Sequence, residues 1–149
     1  MKQLLLALIV ALSFTACDAA EKAHGPWITD YAKALTTAKA EKKLVLLDFT
    51  GSDWCPPCKA LHKNVFATKD FVEFAKENLV LVEVDFPNYK KQSDELKRLN
   101  KELARKFKIE GYPTIIIVNA EGKELSKEVG YQGDTPKSYM AKIEKLLKP

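Results

Sequence analysis

Apolar side chains change their period several times along this chain, and each change marks an element. Over residues 29–42 they fall at Tyr31, Ala34, Leu35 and Ala38, the spacing of one helix face, with Thr29 or Asp30 available as N-cap. Residues 44–49 form an apolar run broken only by Asp48, as expected of a strand covered on both faces. After a polar turn at 50–53, a second helix is expected from the region of Cys55 through Leu61, breaking near Ala67 and Thr68 and resuming over 71–77. Residues 79–86 alternate and predict a second strand, 87–91 a loop, and 93–107 an amphipathic helix with Leu96, Leu99, Leu103 and Phe107 on one stripe. That stripe is expected to pack on the sheet while the charged face meets water. Gly111-Tyr112-Pro113 interrupts the pattern before a third strand at 114–119, which a Glu121-Gly122 turn joins to a fourth at 123–129. Tyr139, Ile143, Leu146 and Leu147 complete a C-terminal helix that Asp134 or Thr135 could cap. The order helix, strand, helix, strand, helix, hairpin, helix predicts a single α/β domain over 26–149.

The segment before that domain has a different character. Residues 1–16 carry Lys2, an apolar run over 4–12 and then small residues, the pattern of an export signal. The run is well short of the roughly 20 residues a spanning helix needs, so an exported, periplasmic protein without a spanning helix is expected. Phe14-Thr15-Ala16-Cys17 resembles a bacterial lipoprotein cleavage box, whereas Cys17-Asp18-Ala19 would serve as an ordinary cleavage site. Cys17 is therefore either lipidated, tethering the protein to a membrane, or disposed of with the signal. Residues 17–25, small and charged, read as a tether.

Charge excludes one class of partner. Twenty-four basic residues face twenty acidic ones, a net charge of +4, and the two signs are interspersed. Such a balance describes a solvated surface rather than a nucleic-acid footprint. The chain has three cysteines, and apart from Cys17 these are Cys55 and Cys58, in one motif. An exported protein could have used disulfides freely as staples, so the pair is reserved for chemistry.

Trp54-Cys55-Pro56-Pro57-Cys58-Lys59 places two thiols two residues apart where a strand gives way to a helix. A Cys-x-x-Cys pair is either a redox dithiol or half a metal site. As an inert staple it closes too small a ring to constrain much unfolded chain. As a metal site it could add His62, but no clear fourth ligand follows, His24 standing in the tether. At a helix start, unpaired N–H groups and the helix dipole favour a thiolate at Cys55, while Cys58, one turn on, can resolve a mixed disulfide. Pro56 and Pro57 remove two backbone donors where a helix has no use for them.

The element order, with Leu46-Leu47-Asp48-Phe49, the Trp54–Lys59 motif and Tyr112-Pro113-Thr114, resembles the thioredoxin superfamily over 27–147, and within it exported thioredoxin-like proteins and the periplasmic domain of thiol:disulfide interchange proteins. The resemblance implies a thioredoxin fold, a central mixed sheet flanked by helices. It also implies a monomeric protein-disulfide reductase that needs no cofactor or metal, acts on protein thiols and disulfides, and is recharged by a membrane electron donor. The alternatives are an oxidase or isomerase, or a non-catalytic metal carrier using the same thiols. Asp48 is then the proton acceptor for Cys58, its carboxyl raised by burial; otherwise it is an acid at a strand end reaching solvent. Pro113 is expected in the cis form, leaving the preceding backbone at Tyr112 to pair with substrate. Trp54 is expected to shield the disulfide and offer a flat contact, or else to be a half-buried core aromatic. His62 could tune the thiolate from the same helix face, or be an ordinary helix histidine.

Two features depart from thioredoxin itself. Asp48 lies one residue further from the first cysteine, and Glu83 stands on the second strand where a lysine partner would be sought. The segment between Asp85 and Pro113 is also longer, chiefly through the 93–107 helix, a candidate docking surface.

Overall fold

The computed structural model describes residues 26–148. The expected signal at 1–16, lipidation at Cys17 and the tether at 17–25 lie outside the described residues. Five strands form one mixed sheet in the order β1-β3-β2-β4-β5: β1 (Trp27–Ile28), β2 (Leu44–Thr50), β3 (Leu79–Asp85), β4 (Thr114–Val118) and β5 (Glu124–Val129). β1, β3 and β2 run parallel, β4 is antiparallel to β2, and β5 returns along β4. The two-residue β1 carries no period a sequence pattern could reveal. β3 is buried along nearly its whole length instead of alternating because both of its faces are covered. Leu79 and Leu81 pack with Leu61, Phe71 and Ile143, and Val80, Val82 and Val84 with Ala34, Ala38 and Phe107.

The helices are α1 (Tyr31–Glu41), α2 (Pro56–Leu61), α3 (Lys69–Asn78), α4 (Asp94–Lys106) and α5 (Pro136–Leu147). Oxygen-bearing side chains cap four of them: Asp30, Thr68, Ser93 and Thr135 each accept a bond from a backbone N–H three residues on. Thr135 also belongs to a capping box with Ser138. Between α2 and α3 the chain widens into a π-helical segment, His62–Phe66, that ends where Thr68 begins the next helix. The expected break at 67–68 is thus present, preceded by a change of helix type that periodicity did not signal.

Strand β2 separates two cores. Leu46 packs with Leu61, Val65, Phe66 and Phe71 of the α2–α3 region and with Tyr139 and Ile143 of α5. Val45, Leu47 and Phe49 point the other way, into a cluster with Ala34, Ala38 and Phe107. β5 forms an edge, and its charged Glu124, Lys127 and Glu128 suit that place. Lys127 also ties the edge to α4 by donating to the carbonyls of Phe107 (3.0 Å) and Lys108 (2.9 Å).

The α4 stripe is only partly covered. Phe107 is buried and Leu103 packs beside it, but Leu96 is half-buried and Leu99 remains 38% exposed, both lining an open groove with the start of α1. The expectation that the whole stripe seals onto the sheet therefore holds only for the C-terminal half of the helix. No helix among the described residues is long and apolar enough to cross a membrane.

Candidate functional site: a disulfide at a pinned helix start

Cys55 and Cys58 are joined in a disulfide across the first turn of α2, with Cα atoms 5.3 Å apart. Cys55 is the N-cap itself, in extended conformation, and its sulfur accepts from the Cys58 N–H at 3.4 Å. The N-cap sulfur thus meets one of the orphan donors of the helix start, where an anion would be stabilised. Both cysteines are buried, at 3% and 4% exposure, while Pro56 and Pro57 face solvent. Access to the sulfurs is accordingly narrow and set by the residues around them.

The turn leading into Cys55 is fastened to the end of β3 by three successive side chains. The Ser52 hydroxyl donates to Asp85 Oδ2 at 2.5 Å and its N–H to Oδ1 at 2.9 Å. Asp53 accepts from the N–H groups of Asn88, Tyr89 and Lys90 at 2.8–2.9 Å. Burial alone would raise the Asp53 carboxyl, but the three N–H donors and the Lys90 ammonium outweigh it and hold it below the usual carboxylate range. Trp54 completes the series, its indole Nε1 donating to the Phe86 carbonyl at 2.8 Å. Sequence reasoning missed Ser52, Asp53 and Asp85 as positioning residues, since small polar residues between a strand and a helix read as turn chemistry. The usable signal was the consecutive Ser-Asp pair opposite an acid ending the neighbouring strand.

Trp54 is held on three sides. Its ring lies over Gly51, where a Cβ would collide with the indole. Tyr112 meets it edge-on at 5.9 Å between centroids, and Phe86 packs on Tyr112 at 5.3 Å. Trp54 nevertheless keeps 38% exposure, so it presents a fixed aromatic face to solvent rather than filling a core. Tyr112-Pro113 is a cis peptide, and Pro113 is buried. Cys55, Trp54 and Tyr112 are therefore linked by one chain step and one ring contact.

Asp48 is 6% exposed, which removes the alternative of a strand end reaching solvent. Burial first, then the carboxylates of Glu83 and Asp85, push its pKa up to about 8. Strand register explains the neighbours. Asp48 stands opposite Glu83 on β3 and opposite Ile115 on β4, and Ile115 opposite Glu128 on β5. Glu83, Asp48, Ile115 and Glu128 thus cross four strands in one row. That row lies on the sheet face where Leu61 of the cysteine helix and Tyr139 of α5 pack. Glu128 is neutralised by Lys142 at 2.7 Å, which also reaches Asp134 at 3.1 Å. The Tyr139 hydroxyl is strongly raised by burial and by Glu128, Asp48 and Asp134. Asp48 Oδ1 has no hydrogen-bond partner, and a buried carboxyl in that state is least costly when protonated. His62 is half-buried at the end of α2, its N–H bonded to the Cys58 carbonyl. Among the described residues no group of three or more His, Cys, Asp and Glu side chains is arranged to hold a metal ion.

Comparison with known proteins agrees with this geometry. A family model described as a thioredoxin-like domain matches residues 31–147. The chain is 36% identical over 118 residues to the disulfide bond reductase DsbH of Chlamydia pneumoniae, covering 79% of this chain and 70% of that protein. It is 31% identical over 140 residues to the thioredoxin-related protein DsbJ of the same organism, covering 91% of this chain and 40% of that one. A thiol:disulfide interchange protein DsbD of Pseudomonas fluorescens is 32% identical over 116 residues, 77% of this chain but only 18% of that longer protein. Among solved structures, a DsbH oxidoreductase superposes with a TM-score of 0.77 at 35% identity, covering 85% of this chain and 86% of the other. With a mixed five-strand sheet and a Cys-Pro-Pro-Cys disulfide capping the helix after its central strand, the chain belongs to the thioredoxin-like family and is a thiol-disulfide oxidoreductase.

Proposed function

We propose that this protein works outside the cytoplasm as a reductase of protein disulfides. The observation that carries the reading is the Cys55–Cys58 disulfide at a helix N-cap whose approach is fastened by Ser52, Asp53 and Trp54. In the forward direction the Cys55 thiolate attacks one sulfur of a substrate disulfide, and the other substrate sulfur leaves as a thiolate. The Cys58 thiolate then attacks Cys55 in the mixed disulfide and releases the second substrate thiolate. The substrate gains two electrons and two protons, the enzyme is left as the disulfide, and a dithiol donor must recharge it. For an exported protein that donor would be a membrane protein.

Asp48 supplies the proton bookkeeping in this reading. At neutral pH its raised pKa keeps it mostly protonated, so during recharging it can give its proton to the Cys58 thiolate as the disulfide opens. In the forward direction it must be ionised to take that proton back, and the fraction able to do so grows as pH rises through about 8. Trp54 precedes Cys55 and meets Tyr112, which joins Pro113 through the cis bond, and in this reading these three are the contacts a substrate segment would meet. The name of the DsbH relative, disulfide bond reductase, supports the direction.

Insulin-disulfide reduction with dithiothreitol as donor tests the reading. Cys55→Ser should abolish turnover, and Cys58→Ser should retain substrate as a mixed disulfide. Undiminished turnover in Cys55→Ser would end the enzyme reading. The reduction potential decides direction: a value near the roughly −270 mV of thioredoxin supports a reductase, and one near the roughly −120 mV of a strong oxidant overturns it. The lipid tether is a separate proposal, expected to be lost, with release from membranes, in Cys17→Ala.

A further inference from the structure

Beside Trp54, between the loop after β3 and α4, a groove of about 310 Å3 opens to solvent. Its lining includes Trp54, Phe86, Lys90, Lys97, Asn100 and Lys101, and no carboxylate. Lys97 and Lys101 are one turn apart on α4, so their ammonium groups share one helix face. Lys97 also meets Asp94 at 3.1 Å, but both are exposed and such a pair is weak. Lys90 comes from the opposite wall, its ammonium resting on the Ser52 hydroxyl at 2.9 Å and partly balanced by the Asp53 carboxylate behind it, so the two α4 lysines carry most of the groove's positive charge. The loop that carries it is not free to drift, because Asp53 binds the three N–H groups of Asn88, Tyr89 and Lys90. The same three bonds hold out Tyr89, which is 82% exposed. The groove therefore joins a fixed aromatic face to cations on two sides, and it starts at the residue next to Cys55.

We propose that this groove is the specificity surface of the exchange reaction and receives an acidic segment of the protein whose disulfide is attacked. Carboxylates flanking the substrate cysteine meet Lys90, Lys97 and Lys101, and an apolar side chain between them lies on Trp54. The inference rests on the reading of the protein as an exchanger of protein disulfides and adds the class of protein segment it selects. Charge complementarity of this kind acts on encounter and register more than on total affinity.

Stopped-flow reaction of the reduced protein with disulfide-bonded peptides tests it. Three peptides differ only in the residues flanking the cysteine, which are glutamate, serine or lysine. The glutamate peptide should react about three- to tenfold faster than the serine peptide, the range expected of a few exposed charge pairs, and the lysine peptide more slowly than either. The advantage should shrink between about 0.05 and 0.5 M salt as screening shortens. In Lys97→Glu/Lys101→Glu, two surface changes, the order of glutamate and lysine peptides should invert. Equal rates for all three peptides in the unmodified protein, or an unchanged order in the double variant, would overturn the groove while leaving disulfide exchange intact. No reaction with any peptide would instead sink the exchange reading and the groove with it.

Discussion

The two sides of strand β2 are made of alternate residues of one short segment, yet they do different work. Val45, Leu47 and Phe49 look into a cluster of apolar side chains from α1, β3, β4 and Phe107, with no buried acid among them. Leu46, Asp48 and Thr50 look the other way, and there the apolar core gives way, toward the cysteine end, to Asp48, Glu83 and Asp85. One face is a scaffold and the other tolerates buried charge. These acids sit on the side where the cysteine helix packs, the side on which the proposed proton transfer would take place.

The sharpest way to break this comparison is to damage the scaffold face alone. Phe49 is fully buried and meets Phe107 at 6.0 Å between ring centroids. Phe49→Ala should lower unfolding stability by about 3–5 kcal/mol, the usual cost of a large core truncation. At a temperature where the variant is still folded, its reduction potential should stay close to that of the unmodified protein. A large shift in potential would mean that the two faces are not separable.

The opposite change, Asp48→Asn, should spare the fold and alter its pH response. An ordinary carboxyl in the unfolded chain loses its proton near pH 4, whereas Asp48 in the fold keeps it to about 8. Between those values the native state binds one more proton than the unfolded state. Stability from this group is fully present below the lower value and declines as pH rises, by about 1.4 kcal/mol per pH unit. Chemical denaturation across that window should show the slope in the unmodified protein and its loss in Asp48→Asn. The exchange rate should likewise lose its rise through about pH 8. A variant with the same pH dependence in both measurements would remove Asp48 from the proton path.

Much of this architecture was legible because burial on two faces leaves a simple trace. The β2 run, the helix stripes and the hairpin turn each repeat over enough residues to fix an element, and Asp48 stood out as an acid inside an apolar run. What was not legible depends on partners distant in sequence. β1 is two residues long and exists only by pairing with β3, and β3 is buried on both faces by helices that come from distant parts of the chain. The π segment at His62–Phe66 is a local change in helix winding with no periodic signature. The fastening of the redox turn joins residues 52–54 to 85–90, over thirty positions away, through polar side chains whose pattern alone says only turn.

That fastening can be tested at the residue with the least side chain. Gly51 is buried beneath the Trp54 indole, and its carbonyl accepts from the N–H groups of both Trp54 and Cys55. A methyl group there would occupy space the ring already fills, and backbone on either side limits how far the turn can retreat. In Gly51→Ala the indole must therefore swing outward, giving up its bond to the Phe86 carbonyl and its edge contact with Tyr112. Overpacking of this kind costs about 1–3 kcal/mol, less than the Phe49 truncation. Because the displaced ring borders the disulfide, tryptophan fluorescence and the rate of exchange with peptides should both change, while the far-UV spectrum should not. If stability fell with fluorescence and exchange unmoved, Trp54 would belong to the scaffold, and the division between the two faces of β2 would not extend to the turn.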